Sequence, residues 1–187
     1  MTLHISFQLS ESDLDYFRGV MQRARKNSKR ISQQEIIDKA EHLLSEVNCS
    51  DTSDFIREHM GQLETMISML TDKGWGLESE DRERVLAALS YFAEPEDLIP
   101  DHTPGLGFLD DAIMIVITCK ALEHEIQAYN DFVIFRTAEA ARRNEESPPL
   151  ERSDWLEERR QQLHSRMRRR RRGKKRGSQS KSPFSLL

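Results

Sequence analysis

The sequence predicts an all-α protein: a small helical bundle of about five helices with a basic, largely disordered C-terminal tail. Two patterns predict the bundle. Apolar residues recur three and four positions apart in the longer stretches between residues 10 and 143, and serine or aspartate precedes most of these stretches. The tail is predicted from a third pattern, a run of arginines and lysines that repel one another and stay solvated.

Capping signals locate the first two helices. Residues 1–9 alternate apolar and polar positions, and we interpret them as an extended arm because a lone strand has no hydrogen-bonding partner. Ser10 or Ser12 caps the first helix, and Ser32 with Glu35 forms a capping box ahead of the second.

The later helices follow from breaks and spacing. A third helix follows the polar residues 48–53, and Ser79 caps a fourth. Trp75, between two glycines, is expected to fill the end of the bundle. The fifth and longest helix is predicted from about Asp110 toward Arg143, because its apolar face continues without proline or glycine.

Charge divides the chain into two parts. Residues 1–150 hold 15 lysines and arginines against 28 aspartates and glutamates, and residues 151–187 hold 13 against 4, so the net charges are −13 and +9. With 187 residues, 37% hydrophobic and 32% charged, the chain suits one acidic domain with an appendage. We expect an arm at 1–9, a helical body at 10–146, and a charged helix with an Arg-rich tail at 147–187.

The cysteines and the apolar stretches indicate a cytoplasmic protein. Cys49 and Cys119 form no CxxC pair, so we expect two reduced thiols and neither a disulfide framework nor a cysteine-based zinc site. The first residues lack a secretory apolar region, and the densest apolar run, residues 112–117, is far shorter than the about 20 residues of a membrane span. We therefore expect no transmembrane helix.

A segment rich in proline and aspartate separates the fourth and fifth predicted helices. It runs from Tyr91 to Asp111 and reads YFAEPEDLIPDHTPGLGFLDD. Together with its flanks at 85–122, this segment resembles the YkvA-like family of bacterial helical domains of unknown function. The resemblance implies a helical fold and a bacterial origin, and it implies no activity. The residues in register with the family pattern are Pro95, Asp97, Leu98, Ile99, Pro100, Asp101, Pro104, Gly107, Asp110 and Asp111.

One interpretation of the motif is structural. The prolines exclude helix, and Asp97 and Asp101 accept backbone N–H bonds in turns. Gly107 permits a backbone angle or a close approach that other residues cannot make, and Asp110 or Asp111 caps the following helix. The apolar residues expected to anchor this connection to the core are Leu98, Ile99 and Leu109.

A second interpretation is a divalent-cation site that supports hydrolysis. Carboxylate oxygens are the ligands that magnesium and calcium prefer, and His102 would suit a transition metal. The candidate ligands are Asp97, Asp101, Asp110 and Asp111. Their spacing matches no calcium loop. The two interpretations stay open, with the structural one favoured.

Familiar catalytic patterns are incomplete in this sequence. The pair Gly105 and Gly107 lacks the third glycine of a dinucleotide-binding loop, and Ala128 replaces the second histidine of a zincin helix after His124. Cys119 lies on an apolar helix, where a small core residue is more common than a nucleophile. The sequence therefore favours a non-enzymatic protein without a cofactor.

The basic run is the clearest functional feature of the sequence. Its charged residues are Arg166, Arg168, Arg169, Arg170, Arg171, Arg172, Lys174, Lys175 and Arg176. Such a run neutralises phosphates and predicts binding of nucleic acid or another polyanion. It contains no aromatic residue, so base stacking is not expected. Three alternatives remain: the run folds back onto the acidic body, it keeps the protein in solution, or it attaches the protein peripherally to an anionic membrane.

Overall fold

The structure, a computed structural model, describes residues 8–27, 31–50, 52–93, 98–101, 103, 106–143 and 154–179, the last six of these by backbone alone. Within these ranges it contains seven α-helices, one short 3-10 helix and no strand, which confirms the all-α class. The α-helices are α1 (Glu11–Asn27), α2 (Gln33–Cys49), α3 (Asp54–Thr71), α4 (Ser79–Leu89), α5 (Leu109–Ala121), α6 (Glu123–Arg142) and α7 (Asp154–Gln179). The 3-10 helix spans Ser90–Ala93.

The chain forms two compact units. Unit 1 comprises residues 1–64 and 80–118, and unit 2 comprises residues 65–79 and 119–187. The predicted division into arm, body and tail stays a prediction, because most of the arm and the boundary after residue 146 lie outside the described residues.

The predicted caps of the first two helices are confirmed. The Oγ of Ser10 accepts a hydrogen bond from the backbone N–H of Asp13 at 3.3 Å, and the Asp13 carboxylate accepts one from the N–H of Ser10 at 2.8 Å. The side chain of Ser32 accepts from the N–H of Glu35 at 3.1 Å. Each cap satisfies donors that an isolated helix start leaves unpaired.

The core of unit 1 surrounds its 3-10 helix. All four residues of Ser90–Ala93 are buried, and α1 and α2 both contact this helix. On α2 the buried positions recur at helical spacing, so one face of that helix is apolar. Those positions are Ile36, Ile37, Ala40, Leu43 and Val47.

The prediction of one long helix from Asp110 to Arg143 is wrong, because the helix is interrupted at Leu122. Its backbone leaves the helical region, with φ −106° and ψ 17°, and it stands between α5 and α6. The Leu122 side chain is 2% exposed. No proline or glycine lies at this break, so local helix propensity does not explain it. The break instead accompanies the burial of the Leu122 side chain.

In unit 2 the helices α6 and α7 pack antiparallel. Near the start of α7 the guanidinium of Arg143 lies over the ring of Trp155, 4.6 Å from its centroid. Further along α7, Arg171 donates to Glu125, close to the start of α6, at 3.1 Å. Across the described residues, no helix combines the length and the apolar content that crossing a bilayer requires.

The prediction of a largely disordered basic tail is wrong for residues 166–179, which continue the charged helix as part of α7 (Asp154–Gln179). Three apolar side chains on one face of this helix, Leu156, Leu163 and Met167, are each 1% exposed. Their burial and the ion pairs of the arginines offset the repulsion within the run. The sequence beyond residue 179 lies outside the described residues.

Candidate functional site

Asp110 holds the motif segment of unit 1 together. Its Oδ2 accepts three hydrogen bonds, from the hydroxyl of Tyr91 at 3.1 Å and from the backbone N–H groups of Leu98 at 2.9 Å and Ile99 at 3.2 Å. The Asp110 side chain is 1% exposed. A buried carboxylate with three donors on one oxygen is a strong structural tie between the 3-10 helix, the turn and α5.

This geometry corrects two details of the structural interpretation. Asp110, the second residue of α5, does not cap this helix, because its Oδ2 accepts from the preceding turn. Leu98 is 38% exposed, so its side chain does not anchor the turn, whereas its backbone N–H does. The apolar anchor is Phe108, which is 4% exposed and whose φ of 63° lies in the left-handed region. Burial of the ring compensates the cost of that backbone conformation.

Gly107 lies where the turn passes closest to itself. A Cβ on this residue would lie 2.8 Å from the carbonyl carbon of Asp101 and closer still to its oxygen. The turn is closed by N–H bonds of Leu106 and Gly107 to the carbonyl of Thr103, at 3.2 and 2.8 Å. The predicted close approach at Gly107 is confirmed, and its partner is a backbone group that has little freedom to move.

Replacing Gly107 by alanine should therefore destabilise unit 1 by about 1–3 kcal/mol, since the added methyl overpacks against backbone. Urea unfolding of the full chain measures this change. Gly61→Ala is the matched control: Gly61 lies within α3, a Cβ there meets nothing within 4 Å, and the change should stabilise the helix by up to about 1 kcal/mol. Equal effects of the two substitutions would contradict the close approach.

The candidate metal ligands do not form a recognisable ion site in the part that the structure describes. Asp110 and Asp111 are buried in α5, at 1% and 4% exposure. Among the described residues, no three histidine, cysteine, aspartate or glutamate side chains come close enough to share an ion. Four residues of this prediction and of the family pattern lie outside the described residues: Pro95, Asp97, His102 and Pro104.

A second buried polar cluster lies in unit 2, and the sequence analysis did not identify it. Asp72 accepts hydrogen bonds from Arg136 at 2.9 Å, from the hydroxyl of Tyr129 at 3.1 Å and from the backbone N–H of Trp75 at 3.1 Å. The side chains of Arg136 and Asp72 are 6% and 5% exposed. Burial, followed by the negative charge of Asp72, raises the pKa of Tyr129 to about 12.

Trp75 forms the apolar centre beside this cluster, in agreement with its prediction as a core residue. It is fully buried, and its ring contacts those of Phe132, at a centroid distance of 5.1 Å, and His164, at 4.1 Å. His164 Nε2 also lies 3.3 Å from the carbonyl oxygen of Trp75. Arg160, one turn earlier on α7, donates to the carbonyl of Gly76 at 3.4 Å. The turn after α3 is thus held by α6 and α7 together.

Four arginines of the predicted polyanion-binding run bind side chains within unit 2. Arg166 pairs with Asp131 at 3.4 Å, Arg168 with Glu78 at 2.9 Å, and Arg171 with Glu125 at 3.1 Å. Arg170 donates to the amide oxygen of Gln127 at 2.5 Å. The Arg171 and Glu125 side chains are 11% and 1% exposed, so this pair is buried. For these four residues the fold-back alternative describes the structure better than a solvated tail.

Four arginines of the run, Arg166, Arg169, Arg170 and Arg172, are exposed. Arg166 pairs with Asp131 and Arg170 with Gln127, whereas Arg169 and Arg172 have no side-chain partner within the described residues. Arg169 and Arg172 border an open part of the surface, where all the described lining residues lie on α7. Its lining in the described part of the chain is Ser165, Arg168, Arg169, Arg172 and Gly173. The side chains of Lys174, Lys175 and Arg176 lie outside the described residues.

Cys119 lies on α5 and is half-buried. Burial raises the pKa of its thiol to about 11. At neutral pH the thiol is therefore protonated, which agrees with the prediction of a small packing residue and not of a nucleophile.

One family comparison bears on unit 1. Residues 84–117 match the family described as "Protein of unknown function (DUF1232)". No curated protein and no solved structure shows significant similarity to the chain. The matched region runs from within α4 to within α5 and contains the whole turn that Asp110 holds. The family description carries no activity. For residues 84–117, this match confirms the resemblance to the YkvA-like helical domains of unknown function.

Proposed function

We propose that this protein is a non-enzymatic interaction protein that binds nucleic acid through the exposed basic face of α7. The observation that carries the proposal is the pair of exposed arginines, Arg169 and Arg172, which have no acidic partner within the described residues. Arg169 follows the buried Met167 by two positions and therefore lies across the helix from the core. Charge without an internal partner is available to an external anion.

The paired arginines support this proposal by fixing the helix. The buried pair of Arg171 with Glu125 and the apolar side chains of α7 hold the helix against α6. A fixed helix keeps Arg169 and Arg172 on one side without the entropic cost of ordering the backbone at binding. The arginine run thus has two roles: some of its members hold α7 in unit 2, and others face outward.

The chemistry of this face favours the phosphate backbone over the bases. Guanidinium groups match phosphate geometry with paired N–H donors. The described exposed face of the run has no aromatic side chain on which a base could stack. We therefore expect binding that depends weakly on sequence and strongly on salt concentration.

The test uses the full-length chain and two variants with the same charge change. Arg169→Gln/Arg172→Gln removes the outward charges, and Arg166→Gln/Arg170→Gln removes two that bind Asp131 and Gln127. We expect the first variant to bind a short duplex about tenfold more weakly. The slope of log affinity against log salt concentration should decrease in magnitude by about 1.8. The control should lose about half as much on either measure, because Asp131 already balances Arg166 whereas the neutral Gln127 leaves the charge of Arg170 unbalanced. Fluorescence anisotropy across a salt titration provides both quantities.

Three outcomes contradict the proposal. They are absence of duplex binding by the natural chain at low salt, unchanged affinity of the Arg169/Arg172 variant, and equal losses in the two variants. A truncation before α7 is not a useful test, because it also removes Leu156, Leu163 and Met167 from the core of unit 2.

A further inference from the structure

We infer that Glu78 is an internal competitor of nucleic acid on α7: its carboxylate occupies the guanidinium of Arg168, and a bound phosphate displaces it. The guanidinium of Arg168 lies 2.9 Å from the carboxylate of Glu78. The inference rests on the proposed function and adds two features to it, a third phosphate-binding arginine and an internal contact that limits binding there. It differs from a general effect of acidic charge, because it acts through one ion pair.

Arg168 is next to the two arginines that have no side-chain partner. It directly precedes Arg169 and lies four positions before Arg172, and side chains four positions apart are neighbours on a helix surface. A nucleic-acid strand that contacts Arg172 therefore passes beside Arg168. A guanidinium group can donate two parallel N–H bonds to one phosphate, so Arg168 has the chemistry to join the binding face.

Water reaches both members of this ion pair, which makes the pair exchangeable. The side chain of Arg168 is 26% exposed and that of Glu78 is 63% exposed. An ion pair that water reaches is weak, and it changes an equilibrium constant by at most about fivefold. The side chains of Arg171 and Glu125 are 11% and 1% exposed, so separating that pair would leave a buried charge. A phosphate can therefore replace Glu78 at small cost, whereas it cannot replace Glu125.

The position of Glu78 in the chain also favours the exchange. Glu78 directly precedes α4, which begins at Ser79. The N-terminus of a helix attracts negative charge, so a carboxylate released from Arg168 stays in a favourable field. The preceding turn is held by other contacts, such as the hydrogen bond from Arg160 to the carbonyl of Gly76. Release of the Glu78 side chain therefore leaves the fold of unit 2 in place.

A double-mutant cycle in the full-length chain tests this competition by fluorescence anisotropy with a short duplex. Glu78→Gln keeps the size of the side chain and removes its charge, and we expect it to bind about threefold more tightly than the natural chain. In the Arg168→Gln background the same substitution should change affinity less than about 1.5-fold, because no guanidinium remains to compete for.

Glu83→Gln is the matched control for charge. Glu83 is an exposed residue of α4 that pairs with no arginine of α7 within the described residues. Its substitution should change affinity less than about 1.5-fold, because salt screens charges that are not in contact. Circular dichroism should show the natural helix content in Glu78→Gln, and a loss of helix would overturn the exchange.

The outcomes separate this inference from the proposed function. If the natural chain binds the duplex and Glu78→Gln binds no more tightly, the competition is overturned and nucleic-acid binding stands. The same conclusion follows if the gain persists in the Arg168→Gln background, or if Glu83→Gln gains as much as Glu78→Gln. If neither the natural chain nor Glu78→Gln binds the duplex at low salt, both the inference and the proposed function are overturned.

Discussion

Replacing Asp72 by alanine is expected to lower the free energy of unfolding of unit 2 by about 3–5 kcal/mol. The substitution removes the partner of Arg136, whose side chain is 6% exposed, and leaves a buried positive charge without its carboxylate. It also removes the acceptor of the Tyr129 hydroxyl and of the Trp75 N–H. Urea unfolding followed by tryptophan fluorescence is a direct measurement, because Trp75 lies within the cluster.

A double-mutant cycle isolates the ion pair from the other contacts of Asp72. Arg136→Met removes the charge and keeps much of the side-chain volume. If the unpaired charge of Arg136 causes most of the destabilisation in Asp72→Ala, the double variant Asp72→Ala/Arg136→Met should be less destabilised than the two single variants added together. The difference should be about 1–3 kcal/mol. Strict additivity would contradict a coupled buried pair. Asp131→Ala, at a half-exposed ion pair of α6, is the surface control and should change stability by no more than about 1 kcal/mol.

Replacing Asp110 by alanine is expected to destabilise unit 1 by about 3 kcal/mol or more, since three donors lose one acceptor. The N–H groups of Leu98 and Ile99 can regain water if the turn opens, but the Tyr91 hydroxyl is in a buried bond. We therefore expect the turn to loosen before the unit unfolds. Hydrogen exchange at residues 98 and 99, with urea unfolding of the full chain, measures both effects.

Asp110→Asn separates the structural interpretation from metal binding. The asparagine oxygen can replace Oδ2 as the acceptor, so this variant should lose only about 1–2 kcal/mol. A cation ligand would behave differently, because loss of the negative charge would abolish stabilisation by magnesium or manganese. Metal-dependent melting of the natural chain that disappears in Asp110→Asn would overturn the structural role. Tyr91→Phe, which removes one donor, should cost about 1 kcal/mol.

The sequence was sufficient to predict the elements whose signals are local. The caps at Ser10 and Ser32 were predictable because a serine hydroxyl and a nearby N–H specify a helix start over four residues. The break at Leu122 was not, because its neighbours favour helix and the change serves packing. Helix α7 was misjudged for a related reason. Repulsion among its arginines is visible in the sequence, but the acidic partners that relieve it lie far away along the chain.

The motif around Asp110 and the buried cluster around Asp72 show the same limit of prediction from sequence. Resemblance identified the segment around Asp110, but only coordinates could show that its carboxylate faces backward to residues 98 and 99. The cluster around Asp72 had one usable signal. Arg136 continues the buried spacing of Tyr129 and Phe132 along α6, and a charged residue in an apolar register indicates a buried partner. The identity of that partner, 64 positions away, could not be deduced from periodicity.

The pairs made by α7 reduce the charge that an approaching strand meets. Of the six arginines between residues 166 and 172, three face a carboxylate, those of Asp131, Glu78 and Glu125. The effective valence of this segment is therefore about half of its formal value. The acidic side chains of unit 2 consequently limit the affinity of α7 for nucleic acid. A substitution at Asp131 or Glu78 would shift that limit and leave every basic residue in place.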